Sequence, residues 1–232
     1  MKKVLVLDPA KSTGYCVIHL FPEQTRTLII AYGNIQVTVT DGLEGQAYLD
    51  LETKVKQLID QYQPESIAME CYFMSGADKF GGCNLNVGFR AILQTLACRF
   101  SMPYEMLNIS QWKKSVALSS RPSAAQIEKW GKTAANKLFI QQALFERFNI
   151  RFPEYCVSPE SGRVVQYRSD AMDAVGMATF VAETQGCPVI INHVQENLEL
   201  PPGKKPPKGA KRAFSYEDLP SSIKTPVKKK KT

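Results

Sequence analysis

VLVLDPAKSTGYCVI, residues 4–18, reads as two strands joined by a turn. Val4 to Leu7 are apolar and partly β-branched, and the run stops on an acid, Asp8. Pro, Lys, Ser, Thr and Gly then supply turn chemistry before a second apolar run, YCVIHLF, begins at Tyr15. TRTLIIAYGNIQV (residues 25–37) provides a third strand, which makes the first 37 residues a three-strand meander.

Downstream the period changes. GLEGQAYLDLETKVKQLIDQYQ carries apolar residues at Leu43, Ala47, Leu51, Val55, Leu58 and Ile59, a helical stripe ended by Pro64. SIAMECYF is a fourth strand and again meets an acid, Glu70. After the Gly-rich MSGADKFGGCN, LNVGFRAILQTLACRF reads as a helix, PYEMLNI as a fifth strand and AAQIEKWGKTAANKLFIQQALFERF as one long basic helix. RSDAMDAVGMATF (residues 168–180) opens the last helix. The order predicts an α/β fold, a mixed five-stranded sheet of meander plus parallel strands with helices on its faces. In such sheets sites gather at the carboxyl ends of strands. Asp8 and Glu70 lie side by side if their strands are parallel neighbours.

The 232 residues are 44% hydrophobic and 22% charged, ordinary values for a soluble protein, and no apolar run approaches the ~20 residues of a membrane helix. MKKVLVLD begins like a signal peptide, but its apolar run stops at Asp8, so an intracellular, cytoplasmic protein is expected. Six cysteines without a CxxC pair and only two histidines argue against zinc and for reduced thiols in the core. The net charge of +7 is unevenly spread. From Asn192 onward there are ten Lys/Arg and four Asp/Glu, which leaves 19 basic and 18 acidic residues in 1–191. The expectation is one domain over 1–191 and a basic, disordered Pro/Lys-rich tail over 192–232, suited to non-specific phosphate contacts. KKKK at 228–231 reads either as a nuclear address, if the host is eukaryotic, or as a solubilising charge run.

Asp170 and Asp173 stand at i and i+3, so a helix aligns them on one face among small apolar residues. Capping by acids in a first turn is one explanation and a divalent cation is the other. Four carboxylates on three elements, Asp8, Glu70, Asp170 and Asp173, make an oxygen-only donor set, which suits Mg2+ or Mn2+ rather than zinc. Two such ions ~3.5–4 Å apart activate water and stabilise the leaving oxygen in phosphodiester hydrolysis.

These segments resemble, in order, the RuvC-type Holliday-junction resolvases of the RNase H-like nuclease superfamily. VLVLDPAKSTGYCVI is similar to that family's first hairpin, with Asp8 at the first metal ligand. IAMECYFM matches its strand with Glu70 as second ligand, and DAMDAVGMA its ligand helix with Asp170 and Asp173. The resemblance implies an RNase H-like sheet, a Mg2+-dependent endonuclease with two ions per site and Mn2+ as substitute, and a homodimer that nicks a four-way DNA junction symmetrically. It implies neither a nucleotide cofactor nor a membrane. It also assigns Phe73 to base stacking at the junction, Lys113 (in ISQWKKSVAL) and Lys132 (in WGKTAANK) to the scissile phosphate, and Lys114 beside them to DNA binding. The chain departs from the family in Ala10, where glycine is preferred, in insertions around SSRPSAAQIEKW and FPEYCVSPESGRVVQY, and in the basic tail. It looks like a divergent member of the kind viral genomes carry.

Other readings keep part of this. A nuclease for flaps, forks or RNA-DNA hybrids would use the same carboxylates, and a non-cutting junction-binding protein would use the same surface. An actin-like phosphotransferase would need Gly-rich phosphate loops that the sequence lacks.

Overall fold

The computed structural model describes residues 1–71, 80–150, 156–157, 164–165, 169–190, 195–197 and 211–212. The meander is present as β1 (Lys2–Asp8), β2 (Ser12–Phe21) and β3 (Arg26–Gln36), all antiparallel. The turn after β1 is closed by Thr13, whose hydroxyl donates to the Ala10 carbonyl at 2.7 Å and accepts from the Ala10 amide at 3.2 Å. Ala10 is not among the residues with positive φ, so the turn does not need glycine there.

The chain continues through α1 (Glu44–Tyr62), β4 (Ser66–Glu70), α2 (Phe80–Arg99), β5 (Tyr104–Leu107), α3 (Ile109–Ala117), α4 (Ala124–Trp130) and α5 (Lys132–Phe148). Leu43, expected on the buried stripe, precedes α1 as its N-cap and is 59% exposed, whereas Ala47, Leu51, Val55, Leu58 and Ile59 are buried. The expected single basic helix is two. Gly131, with φ +75°, separates α4 from α5, a backbone state that glycine adopts without Cβ strain. Short strands β6 (Cys156–Val157) and β7 (Val164–Val165) precede α6 (Ser169–Thr184), β8 (Val189–Ile190), β9 (Gln195–Asn197) and β10 (Lys211–Arg212).

The main sheet runs β5-β4-β1-β2-β3, with β4 parallel to both β1 and β5. Beyond the five expected strands, β8 and β9 each add parallel to β3, so the sheet extends past residue 191. β10, β6 and β7 form a separate antiparallel ribbon. Among the described residues no helix is long and apolar enough to cross a membrane.

Alternation along the strands divides the core. Leu5, Leu7, Tyr15 and Val17 face α1 and α2 in one cluster, and Val4, Val6, Cys16, Ile18 and Ala68 face α3, α5 and α6 in the other. Cys16 and Cys187 are buried as expected for core thiols, but Cys98 is exposed. The period-2 rule carries the same parity onward. Asp8 and Glu70 therefore end on the face covered by α6.

Candidate active site

Asp8 and Glu70 are placed by strand pairing. The parallel ladder between β1 and β4 runs to Leu7 opposite Met69, so the two acids follow it as immediate neighbours. Just past the ladder, Arg90 of α2 ties the two chain ends together. Its Nε donates to the Glu70 carbonyl at 2.9 Å and its Nη1 to the Pro9 carbonyl at 3.1 Å and the Asn86 carbonyl at 3.0 Å. A buried guanidinium with fixed fork geometry holds the backbone spacing where sheet hydrogen bonds stop.

The other two acids arrive on α6 because Gly14 lets it approach. Gly14 lies opposite Asp8 in the β1–β2 register, and a Cβ there would sit 1.9 Å from the Asp170 carbonyl oxygen and 2.9 Å from the Ala171 nitrogen. Asp170 sits in the first turn of α6, where its charge is favoured by the helix dipole, and its side chain is hydrogen-bonded to Ser12. Asp173 is buried one turn on.

The cluster is mutually repulsive. Burial raises Asp8 well above the usual carboxylate range, and Glu70, Asp173 and Asp170 push it further. Burial and Asp173 likewise raise Glu70, against a hydrogen bond from Trp112. Burial raises Asp170 despite its bond to Ser12 and the charge of Lys137. Lys137 of α5 is the principal counter-charge, its Nζ paired with Asp173 Oδ2. Burial alone would lower its pKa, but Asp173, Asp8 and Asp170 outweigh that and raise it.

Trp112 of α3 fixes Glu70 from the opposite side. Its indole Nε1 donates to Glu70 Oε1 at 3.1 Å, and its ring packs on α6 at Gly176, where a Cβ would come within 2.9 Å of Cζ3. One buried indole thus locks β4 to the acid-bearing helix. Trp112→Phe keeps most of the packing and removes the N–H, a bond to a charged group worth about 1.5–3 kcal/mol. We expect weaker Mn2+ binding in calorimetry and a cleavage rate down about tenfold. Unchanged metal affinity would make the hydrogen bond incidental.

Of the basic residues singled out in the sequence, Lys113 lies closest to the cluster, where its charge acts on Glu70. Lys114 and Lys132 are exposed, at the end of α3 and the start of α5. Lys137, Arg90 and Trp112 were not singled out. Lys137 shares the inward stripe of α5 with buried Gln141 and Leu144, and a lysine in such a stripe is the signal for it. Phe73 lies outside the described residues.

As the rotamers stand, no three His, Cys, Asp or Glu side chains among the described residues are arranged to hold a metal ion. The donor chemistry nevertheless fits one. Among the described residues Asp173 Oδ1 is buried with no hydrogen-bond partner, a desolvated oxygen on a side chain that acts electrostatically on Asp8, Glu70 and Asp170. Hard oxygen donors in that number suit Mg2+ or Mn2+.

Because Asp8, Glu70 and Asp170 hold protons more tightly folded than unfolded, the folded state takes up protons as pH falls, and stability rises in that direction. In EDTA, Tm should therefore climb from neutral toward mildly acidic pH. Saturating Mg2+ should remove the trend by keeping the carboxylates ionised. A Tm that falls over this range in EDTA would show that the cluster does not control stability.

Residues 4–130 match the model of the family described as crossover junction endodeoxyribonuclease RuvC. No curated protein matches the chain. Among solved structures, RuvC of T. thermophilus in complex with Holliday junction substrate is similar with TM-score 0.52 and 13% identity, over 78% of this chain and 96% of that one. A second Thermus thermophilus RuvC structure gives 0.50 at 14% identity over the same shares. These likenesses show the RNase H-like fold. The family match spans more than half of the chain and includes Asp8 and Glu70, so the chain belongs to the crossover junction endodeoxyribonuclease RuvC family.

Proposed function

We propose that this endonuclease resolves four-way DNA junctions by paired symmetric nicks, with Asp8, Glu70, Asp170 and Asp173 holding two Mg2+ ions. The observation that carries the reading is the convergence of four acids from β1, β4 and α6, with an Asp173 oxygen that is buried and has no hydrogen-bond partner among the described residues. Ions held there supply activation of the attacking water and neutralise the leaving oxygen. Arg90 and Trp112 keep the strand-end ligands in register, and Lys113 brings a cation beside Glu70 for the phosphate. Lys132 and Lys114 extend positive charge along the DNA path, and Phe73 stacks on a base near the crossover, a contact worth ~1–3 kcal/mol.

Two coordinated cuts need two sites related by a two-fold axis, hence a homodimer. α2 is the candidate contact. Its Val87 is 48% exposed, whereas Gly88 is taken up within the chain by Tyr48, where a Cβ would lie 2.3 Å from the ring.

Labelled four-way junction, flap, fork and linear duplex, incubated side by side in Mg2+, test the reading. Paired symmetric nicks confined to the junction are expected. Equal cutting of flaps or forks would transfer the enzyme to another branched substrate, and binding without cutting in any divalent ion would overturn the catalytic assignment.

A further inference from the structure

α5 turns a lysine inward. Leu138, Phe139, Ile140, Gln141 and Leu144 of this helix are buried, and Lys137 precedes Gln141 and Leu144 by one and two turns, so its stem follows the same face into the core. The side chain keeps 32% exposure. An ammonium in that place needs an anion, because a partly desolvated charge is costly unless it is paired. Asp173 Oδ2 supplies one. Of the ion pairs among the described residues this has the most buried acid, with the Asp173 side chain 5% exposed.

The lysine serves more than its direct partner. Its charge also acts on Asp8 of β1 and Asp170 of α6. The cations of the neighbouring elements act elsewhere in the cluster: Lys113 of α3 and Arg90 of α2 act on Glu70, and the Arg90 guanidinium is engaged with main-chain carbonyls. Asp8, Asp170 and Asp173 therefore share the Lys137 ammonium. Electrostatically it fills the place of a divalent ion, and fills it incompletely. One positive charge faces several carboxylates, and on Asp173 it takes Oδ2 and leaves Oδ1, which has no hydrogen-bond partner among the described residues.

We propose that Lys137 is a positioning residue of the metal site, whose ammonium stands in for a divalent ion at Asp8, Asp170 and Asp173 before loading and competes with that ion during it. This rests on the reading of the four acids as a Mg2+ or Mn2+ site. Two effects of opposite sign follow. Before loading, Lys137 offsets repulsion among the acids and holds Asp173 against α5. During loading it is a like charge beside the entering ion, and its hydrogen bond to Oδ2 withholds an oxygen of the kind hard cations bind. The site is thereby assembled without metal, at the expense of metal affinity.

The test reads two quantities on the full chain at one pH, Tm in EDTA and Mn2+ affinity by calorimetry. A plain structural ion pair would move both downward. Lys137→Met keeps the aliphatic stem and removes the charge. Its Tm in EDTA should fall by several degrees, whereas Mn2+ should bind about tenfold more tightly, the order expected when a unit like charge beside a divalent ion is removed under near-aqueous screening. Saturating Mn2+ should then narrow or reverse the Tm gap to wild type. Lys137→Arg keeps the charge and should bind Mn2+ as wild type does. If Lys137→Met does not fold in EDTA, Lys137→Gln, which can still donate to Asp173, gives the same reading. Unchanged or weaker Mn2+ binding in a folded neutral variant would overturn the proposal and leave Lys137 as a structural ion pair. Failure of the metal reading looks different: neither wild type nor any variant would bind Mn2+, and the competition would fall with it.

Discussion

Asp8→Asn, Glu70→Gln and Asp173→Asn should each lower junction cleavage in Mg2+ by a factor of about 10^3 or more, a barrier increase of roughly 4 kcal/mol. Junction binding measured in EDTA should persist. The three variants should nonetheless separate in stability, because the acids carry different electrostatic loads. Asp8 is buried beside Glu70 and Asp173, so a neutral Asn relieves repulsion and should raise Tm in EDTA. Asp173 is different, since its Oδ2 holds Lys137. Removing one partner of a buried pair costs about 3–5 kcal/mol, and less here because Lys137 keeps 32% exposure. Asp173→Asn should therefore lower Tm while Asp8→Asn raises it. Persistent cutting would remove a residue from the mechanism, and parallel Tm shifts would contradict the charge arrangement described for the cluster.

Gly14→Ala should be more damaging than its single methyl group suggests. The new Cβ would fall 1.9 Å from a backbone oxygen of α6, and a main-chain atom cannot swing aside as a side chain can. Either α6 retreats from β2 or the hairpin deforms. Overpacking of this kind costs about 1–3 kcal/mol, and a rigid backbone partner puts it at the upper end. The movement would withdraw Asp170 and Asp173 from Asp8, so Mn2+ affinity and cleavage should fall together, by a factor of 10^2 or more, even in molecules that remain folded. Gly186→Ala is the control, since nothing lies within 4 Å of its added Cβ although its φ of +69° carries local strain. It should lose stability without losing metal affinity. Normal metal binding in Gly14→Ala would show that the close approach of α6 does not set the site.

The acids were legible in the sequence because their signals are local. Asp8 and Glu70 each end an apolar strand, and Asp170 and Asp173 share one helix face at i and i+3. Family resemblance then joined elements that lie 62 and 100 residues apart, from Asp8 to Glu70 and from Glu70 to Asp170. The residues that support them were not legible in the same way. Arg90 lies in sequence within a mostly apolar helix, and neither it nor Trp112 carries a local signal of its partner. Only the meeting of α2 with two strand ends, and of α3 with β4 and α6, gives them partners. Lys132 was assigned through the resemblance to the family's lysine at a helix start. Lys137, five residues later, is the lysine that reaches Asp173, because Gly131 ends α4 and resets the helical phase of α5.

The five central strands and the helices α1, α2 and α6 follow from hydrophobic period and turn chemistry, which are properties of neighbouring residues, whereas α3, the break between α4 and α5, and the added strands β8 and β9 do not. Tertiary structure decided what the four acids face. Period-2 alternation puts Asp8 and Glu70 on one side of the sheet, and Gly14 admits α6 to that side. The Lys137 ammonium then pairs with Asp173 in a cluster whose repulsion depends on distances between elements far apart in the chain.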